Sequence, residues 1–212
     1  MSVRPRRWYS PALWLVVIAF TLTSCAGSEL VNMWKDPSYP ETPMVNMLVI
    51  TLKQDPARRR MWEDRFVREL SKRGVTATPS YRLFEQAVPD TQQVIEAVRA
   101  HGYDGVLVTH KLATQGETRY VPGYTTRVPV SERPPGSGWY YTYYRDVYYP
   151  GYTETDSVVS YETHVWSTKD GGRMVWAGTS QSVNPSSSED VNREISKLIV
   201  PELSRKSVIP HK

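Results

Sequence analysis

Few residues in this chain are of a type that does chemistry. Among 212 residues there is one cysteine, Cys25, and four histidines. A lone cysteine has no partner for an intrachain disulfide, so its thiol is free for another use. Two histidines, His110 and His164, fall in stretches with the patterning of strands. Glu162 lies two residues before His164, and alternate residues of a strand point to one face. Two imidazoles and one carboxylate are the smallest set that holds a tetrahedral metal, with Glu162 or Asp104 as the third ligand. The plainer expectation is two half-exposed strand histidines, and no metal or cofactor is expected. The other two histidines are His101, at a helix end where a cation is favourable, and His211 in the tail. The sequence has no Gly-x-Ser-x-Gly elbow, P-loop, His-Glu-x-x-His or Cys-x-x-Cys.

The surroundings of Cys25 decide its use. Arg4, Arg6 and Arg7 precede an apolar run from Ala12 to Leu22. That run has the length of a signal core and is too short to span a bilayer. It ends in Leu22-Thr23-Ser24-Cys25, which resembles the lipobox of bacterial lipoproteins. The resemblance implies cleavage before Cys25 and a diacylglycerol on its sulfur, which anchors the chain to a membrane facing the periplasm. Ala26, in place of Asp, implies by the same resemblance the inner leaflet of the outer membrane. Residues 1–24 are then the signal peptide and 25–43 a proline-rich lipidated tether, in which Trp34-Lys35-Asp36-Pro37 suggests a first edge strand or turn. The three arginines of the signal leave with it. The mature chain carries 26 − 3 = 23 basic against 22 acidic residues, close to neutral. Nucleic-acid binding leans on many Lys/Arg–phosphate contacts, so no nucleic-acid partner is expected.

A second feature concerns binding. Residues 139–152 hold Trp139, Tyr140, Tyr141, Tyr143, Tyr144, Tyr148, Tyr149 and Tyr152. Tyrosine offers a large contact area, few rotatable bonds and a polar tip, which suits a binding surface. These residues sit in an insert over about 113–156, rich in proline and glycine. We read the insert as a long, protruding connection without regular structure that meets an envelope protein or polymer. The competing readings are a passive insert and an extended hairpin that packs its aromatics on its own domain.

The elements that must carry these residues follow from periodicity. Met44–Leu52 is a short, nearly continuous apolar run, the mark of a central strand buried on both faces. Asp55-Pro56 reads as N-cap and first helical residue. Trp62, Phe66, Val67 and Leu70 make one helical stripe, and Gly74 fits the stop. Arg58-Arg59-Arg60 reads as a solvated run in the first turn. Residues 75–84 suggest a second strand, placed at an edge by Pro79. Asp90 to Gln93 fits a capping box, before a short helix ended by Gly102. Val106-Leu107-Val108 is a third strand, reaching as far as Leu112. After the insert, Ser157–Trp166 and Arg173–Val183 alternate around Asp170-Gly171-Gly172, a hairpin signal. Trp176 is its expected packed residue. Ser186-Ser187-Ser188 offers caps for a last helix with Val191, Ile195, Leu198 and Ile199, ended or kinked at Pro201. The expectation is one α/β domain over 44–207, a mixed sheet of about five strands with three helices and the Tyr-rich insert.

Three stretches resemble those of a group of uncharacterised bacterial lipoproteins, a domain of unknown function. They are Trp34-Lys35-Asp36-Pro37-Ser38-Tyr39, Tyr103-Asp104-Gly105-Val106-Leu107-Val108, and Asp170-Gly171-Gly172-Arg173-Met174-Val175-Trp176-Ala177-Gly178. The order of elements is also similar, at the level of fold, to the amino-terminal domain of TolB and to lipoproteins that activate penicillin-binding proteins. Neither resemblance brings catalytic residues. The expected role is therefore a non-enzymatic binding or assembly module of the envelope. The alternatives are an envelope-polymer hydrolase built on Glu162, His164 and His110 in a cleft, and a structural lipoprotein that self-associates through its insert.

Overall fold

The computed structural model describes residues 27–40, 42–132 and 141–211. Cys25, Trp139 and Tyr140 lie outside them. The order is β1 Ser28–Lys35, β2 Asn46–Thr51, α1 Pro56–Ser71, β3 Thr76–Pro79, α2 Thr91–His101, β4 Gly105–Val121, β5 Tyr124–Glu132, β6 Tyr141–Tyr149, β7 Tyr152–Ser167, β8 Arg173–Val183 and α3 Ser188–Arg205. The chain is a mixed α/β domain. Six strands form one sheet in the order β1-β8-β7-β4-β2-β3, and β5 and β6 form a separate pair.

β2 pairs in parallel with both β3 and β4. The chain therefore steps from β2 out to β3 and back across β2 to β4. Both crossovers keep the usual right hand only if their helices lie on opposite faces of the sheet. α1 and α3 cover one face, over a core that includes Met47, Val49, Trp62, Phe66, Leu107, Val165, Trp176 and Ile195. α2 covers part of the other, over Leu48, Ile50, Tyr103 and Val106.

Local signals set the helix starts. Asp55 accepts from the Arg58 N–H, with Pro56 at the first helical position. Asp90 and Gln93 form a reciprocal capping box. The Ser187 side chain caps α3. Gly74 and Gly102 take left-handed φ of 77° and 62° just past α1 and α2, where a side chain would be strained.

The structure corrects four expectations. Residues 28–35, within the stretch assigned to the tether, form one edge strand paired along β8, which starts earlier than the edge strand or turn expected at Trp34–Pro37. α3 does not end at Pro201, one of the two outcomes expected there, and runs on to Arg205; buried Val200, Leu203, Val208 and Ile209 hold both sides of the proline in the core. Arg59 is buried within the supposedly solvated run. The insert, expected to lack regular structure, is β-structure almost throughout its described part. Pro79 does end an edge strand, though that strand is only Thr76–Pro79 and a 3-10 turn follows at Ser80–Arg82.

The three stretches that carry the lipoprotein resemblance turn out to be joints of the fold. Asp36 accepts from the Ser38 N–H and hydroxyl, both at 2.8 Å, and pairs with Arg173 at 3.3 Å, so the first stretch meets the third. Asp104 accepts from the backbone N–H groups of Val45 and Asn46, at 2.8 and 3.0 Å, and so fixes the start of β2 beside β4. A Cβ on Gly178 would collide with the ring of Trp176, which lies across it.

Candidate functional site

β4 and β7 pair without interruption from the sheet out to Val121 and Tyr152, apart from a bulge between Lys111 and Ala113. Beyond the end of β8, which pairs with β7 as far as Val158, residues 116–121 and 152–157 project as a two-stranded ribbon that leads to the β5–β6 pair. At about 3.4 Å per residue, the nine-residue strands β5 and β6 are each roughly 30 Å long. The corner between ribbon and pair is built on Gly123 and Gly151. A Cβ on Gly123 would meet the Gly151 nitrogen and the Tyr149 oxygen at 2.7 Å, so the two backbones touch there.

The arm has two unlike faces. Register places Arg127, Pro129 and Thr125 opposite Asp146, Tyr144 and Tyr148, and Tyr124, Val128 and Val130 opposite Tyr149, Arg145 and Tyr143. Residues directly opposite share a face. The first face carries the Arg127–Asp146 ion pair at 3.0 Å and the two most exposed β6 tyrosines, Tyr144 at 70% and Tyr148 at 66%. The second carries the stacked rings of Tyr124 and Tyr149, centroids 5.0 Å apart, with half-buried Thr126, Val128, Val130 and Val147 farther along the same face. Tyr143 donates to Glu132 at 2.9 Å. That hydrogen bond, ahead of the smaller effects of desolvation and the Glu132 charge, pushes its phenol above the ordinary range. Tyr152 is exposed at the root of the arm, as is Tyr120, which the sequence reading did not single out. The exposed aromatics thus project from the core instead of packing on it. Tyr141 lies in β6, and Trp139 and Tyr140 fall outside the described residues.

The histidine prediction meets a definite geometry. Nε2 of His110 lies 3.3 Å from one oxygen of Glu162, and Nε2 of His164 lies 3.3 Å from the other. Cross-strand pairing of His110 with Glu162 brings them together. The carboxylate bridges two imidazoles whose centroids are 5.8 Å apart. Asp104 is committed to the β2 backbone at the far end of β4 and does not join them. Among the described residues, no group of three His, Cys, Asp or Glu side chains is arranged to hold a metal ion.

A cleft of about 590 Å³ lies elsewhere on the same face, between α2 and the sheet. Its walls include Ile50, Leu52, Val94, Ile95, Val98 and Trp166. His110, Glu162 and His164 are not among its lining residues.

A buried charge network was missed by the sequence reading. Arg59 and Glu63, with side chains 4% and 0% exposed, pair at 3.1 Å. Arg59 also donates to the Phe84 and Ala87 carbonyls and to Ser80. Glu63 accepts from Ser80 at 2.7 Å and from the backbone N–H groups of Thr51 and Tyr81. The i,i+4 spacing of Arg59 and Glu63, on the side of α1 that also carries Trp62 and Phe66, was the available signal.

No family model and no curated protein matches the chain. Among solved structures, it is similar to PelC, a dodecamer from Paraburkholderia phytofirmans, at 13% identity and a TM-score of 0.44, covering 87% of this chain and 99% of that one. It is also similar to the lipoprotein GNA1162 from Neisseria meningitidis, at 12% identity and a TM-score of 0.39, covering 76% and 99%. At these identities and scores the likeness assigns no activity to this chain. Among the described residues, no helix is long and apolar enough to cross a membrane.

Proposed function

We propose that this chain is a lipid-anchored module of the cell envelope that binds a partner without catalysis, and that the β5–β6 arm is its binding element. One observation carries the reading. The arm holds Tyr124, Tyr144 and Tyr148, each 61% exposed or more, on the two-stranded β5–β6 sheet, and Tyr120 and Tyr152 are exposed at its root on β4 and β7. Exposed aromatics in such number mark an interaction surface, and an isolated two-stranded sheet is marginally stable in water. A partner that covers the arm answers both costs. In this proposal Cys25 carries the lipid, the domain faces the periplasm from the outer membrane, and the partner is an envelope protein or polymer.

The register supplies the clean test. Val121 pairs with Tyr152, so residues 122–151 can be removed and the ends joined by a Gly/Ser turn without breaking the main sheet. The shortened chain should keep its unfolding midpoint and lose the partner recovered with the full chain from intact cells. Recovery of the same partner at the same yield would sink the proposal.

A further inference from the structure

The cleft between α2 and the sheet is used by nothing described so far. α2 turns one stripe toward it, Thr91, Val94, Ile95, Val98 and Arg99, at the spacing of a single helix face. The strands supply Ile50, Leu52, Val106, Val108 and Trp166 as its floor and far wall. α2 packs lightly: of its eleven residues only Ala97 is buried. The cleft is the gap left where this helix stops covering the sheet. Three of the large apolar side chains left exposed by the fold, Leu52 at 48%, Ile95 at 38% and Trp166 at 40%, all open into it. Its volume falls in the range of about 300–1,000 Å³ usual for small-molecule sites.

The rim carries two charges of opposite sign, Asp90 and Arg99. Asp90 is committed to the cap of α2, where it accepts from the Gln93 N–H. Arg99 is exposed, and it makes no ion pair or hydrogen bond among the described residues. An apolar trough beside a lone guanidinium is complementary to a molecule with a hydrocarbon chain and an anionic head. We propose that this cleft binds a free fatty acid, its chain along Ile50, Val98 and Trp166 and its carboxylate beside Arg99. The proposal stands apart from the arm and does not depend on it.

The test uses a dodecanoate with a diazirine near its tail, added to the purified full chain with no enzyme or cofactor present to esterify it. After illumination, the label should map to peptides carrying residues 94–99 and 166–172. Unlabelled competitors should displace it with a gain of roughly fourfold per added methylene from octanoate to dodecanoate, the value of one buried methylene. Ile95→Asp, a change at an exposed position, should abolish cleft labelling. Arg99→Gln should weaken competition by dodecanoate at least fivefold and leave competition by the neutral dodecanol unchanged. Label spread over the chain, competition that ignores chain length, or labelling that survives Ile95→Asp would overturn the proposal. So would cleft labelling only when the same photoreactive chain is presented within phosphatidylglycerol vesicles, because the ligand would then be membrane lipid. Arg99→Gln also guards against misfolding, since an exposed glutamine for arginine leaves the core untouched.

Discussion

Trp176 and Arg59 mark the two limits of what single residues disclose. Trp176 is legible, because an alternating strand beside a Gly-Gly turn puts one large aromatic inward. It is fully buried. Trp176→Ala should cost about 3–5 kcal/mol, read as a fall in the denaturation midpoint; an unmoved midpoint would refute its place in the core. Arg59 is not legible from Arg58-Arg59-Arg60 alone; the signal that sets it apart lies outside the triplet, in its i,i+4 spacing to Glu63 on the Trp62 and Phe66 side of α1. Only the helical turn aims it at Glu63, Ser80 and the carbonyls of 84 and 87. Removing one member leaves the other charge buried and unpaired, so Glu63→Gln should cost about 3–5 kcal/mol. Replacing both, Arg59→Met with Glu63→Leu, should cost clearly less than the two single changes added together. Additive values from urea melts would show that the two do not act as a pair.

At the scale of elements, the sequence discloses whatever is governed by local rules. Caps at Asp55, Asp90 and Ser187, the glycines beyond α1 and α2, and the hairpin at Gly171-Gly172 all stand where periodicity and turn chemistry put them. Elements governed by distant partners were hidden. β1 was legible only at its end, where Trp34-Lys35-Asp36-Pro37 suggests an edge strand or turn; pairing with β8 extends the strand back to Ser28. The arm looks irregular because its aromatics come in runs. Strands with both faces exposed need no alternation of apolar and polar residues, so the usual signal is absent. α3 passing through Pro201 is a third case, where tertiary packing overrides propensity. Proline at this position leaves a carbonyl one turn back without its helical donor. Pro201→Ala should therefore stabilise the fold by about 1–3 kcal/mol, and a lower melting temperature would mean that proline is required there.

Over the whole molecule, a two-faced α/β core projects an aromatic arm from the middle of its chain order. The histidine–glutamate cluster was legible in part. Alternation put Glu162 and His164 on one face, and only strand register could bring His110 to them. The cleft was invisible in sequence, because it arises from how far α2 extends over a sheet whose order no local pattern specifies. In the proposed arrangement the lipid on Cys25 confines the arm to the membrane surface. Cys25→Ser should leave residues 1–24 attached and abolish the acyl mass, measured by mass spectrometry of the intact chain. A variant still cut before residue 25 would contradict the lipoprotein reading.

The central claim is that the arm is covered by a partner in the cell, and one measurement tests it most directly. A photoreactive residue at Tyr144, which is 70% exposed, is compared in intact cells with the same residue at Arg60, outside the arm. The account predicts a discrete adduct of one mass from position 144, absent at position 60 and lost when the unlabelled full chain is co-expressed in excess. Adducts equal at the two positions, or none from 144, would mean that the tyrosines face only water, and the arm would not be a binding element.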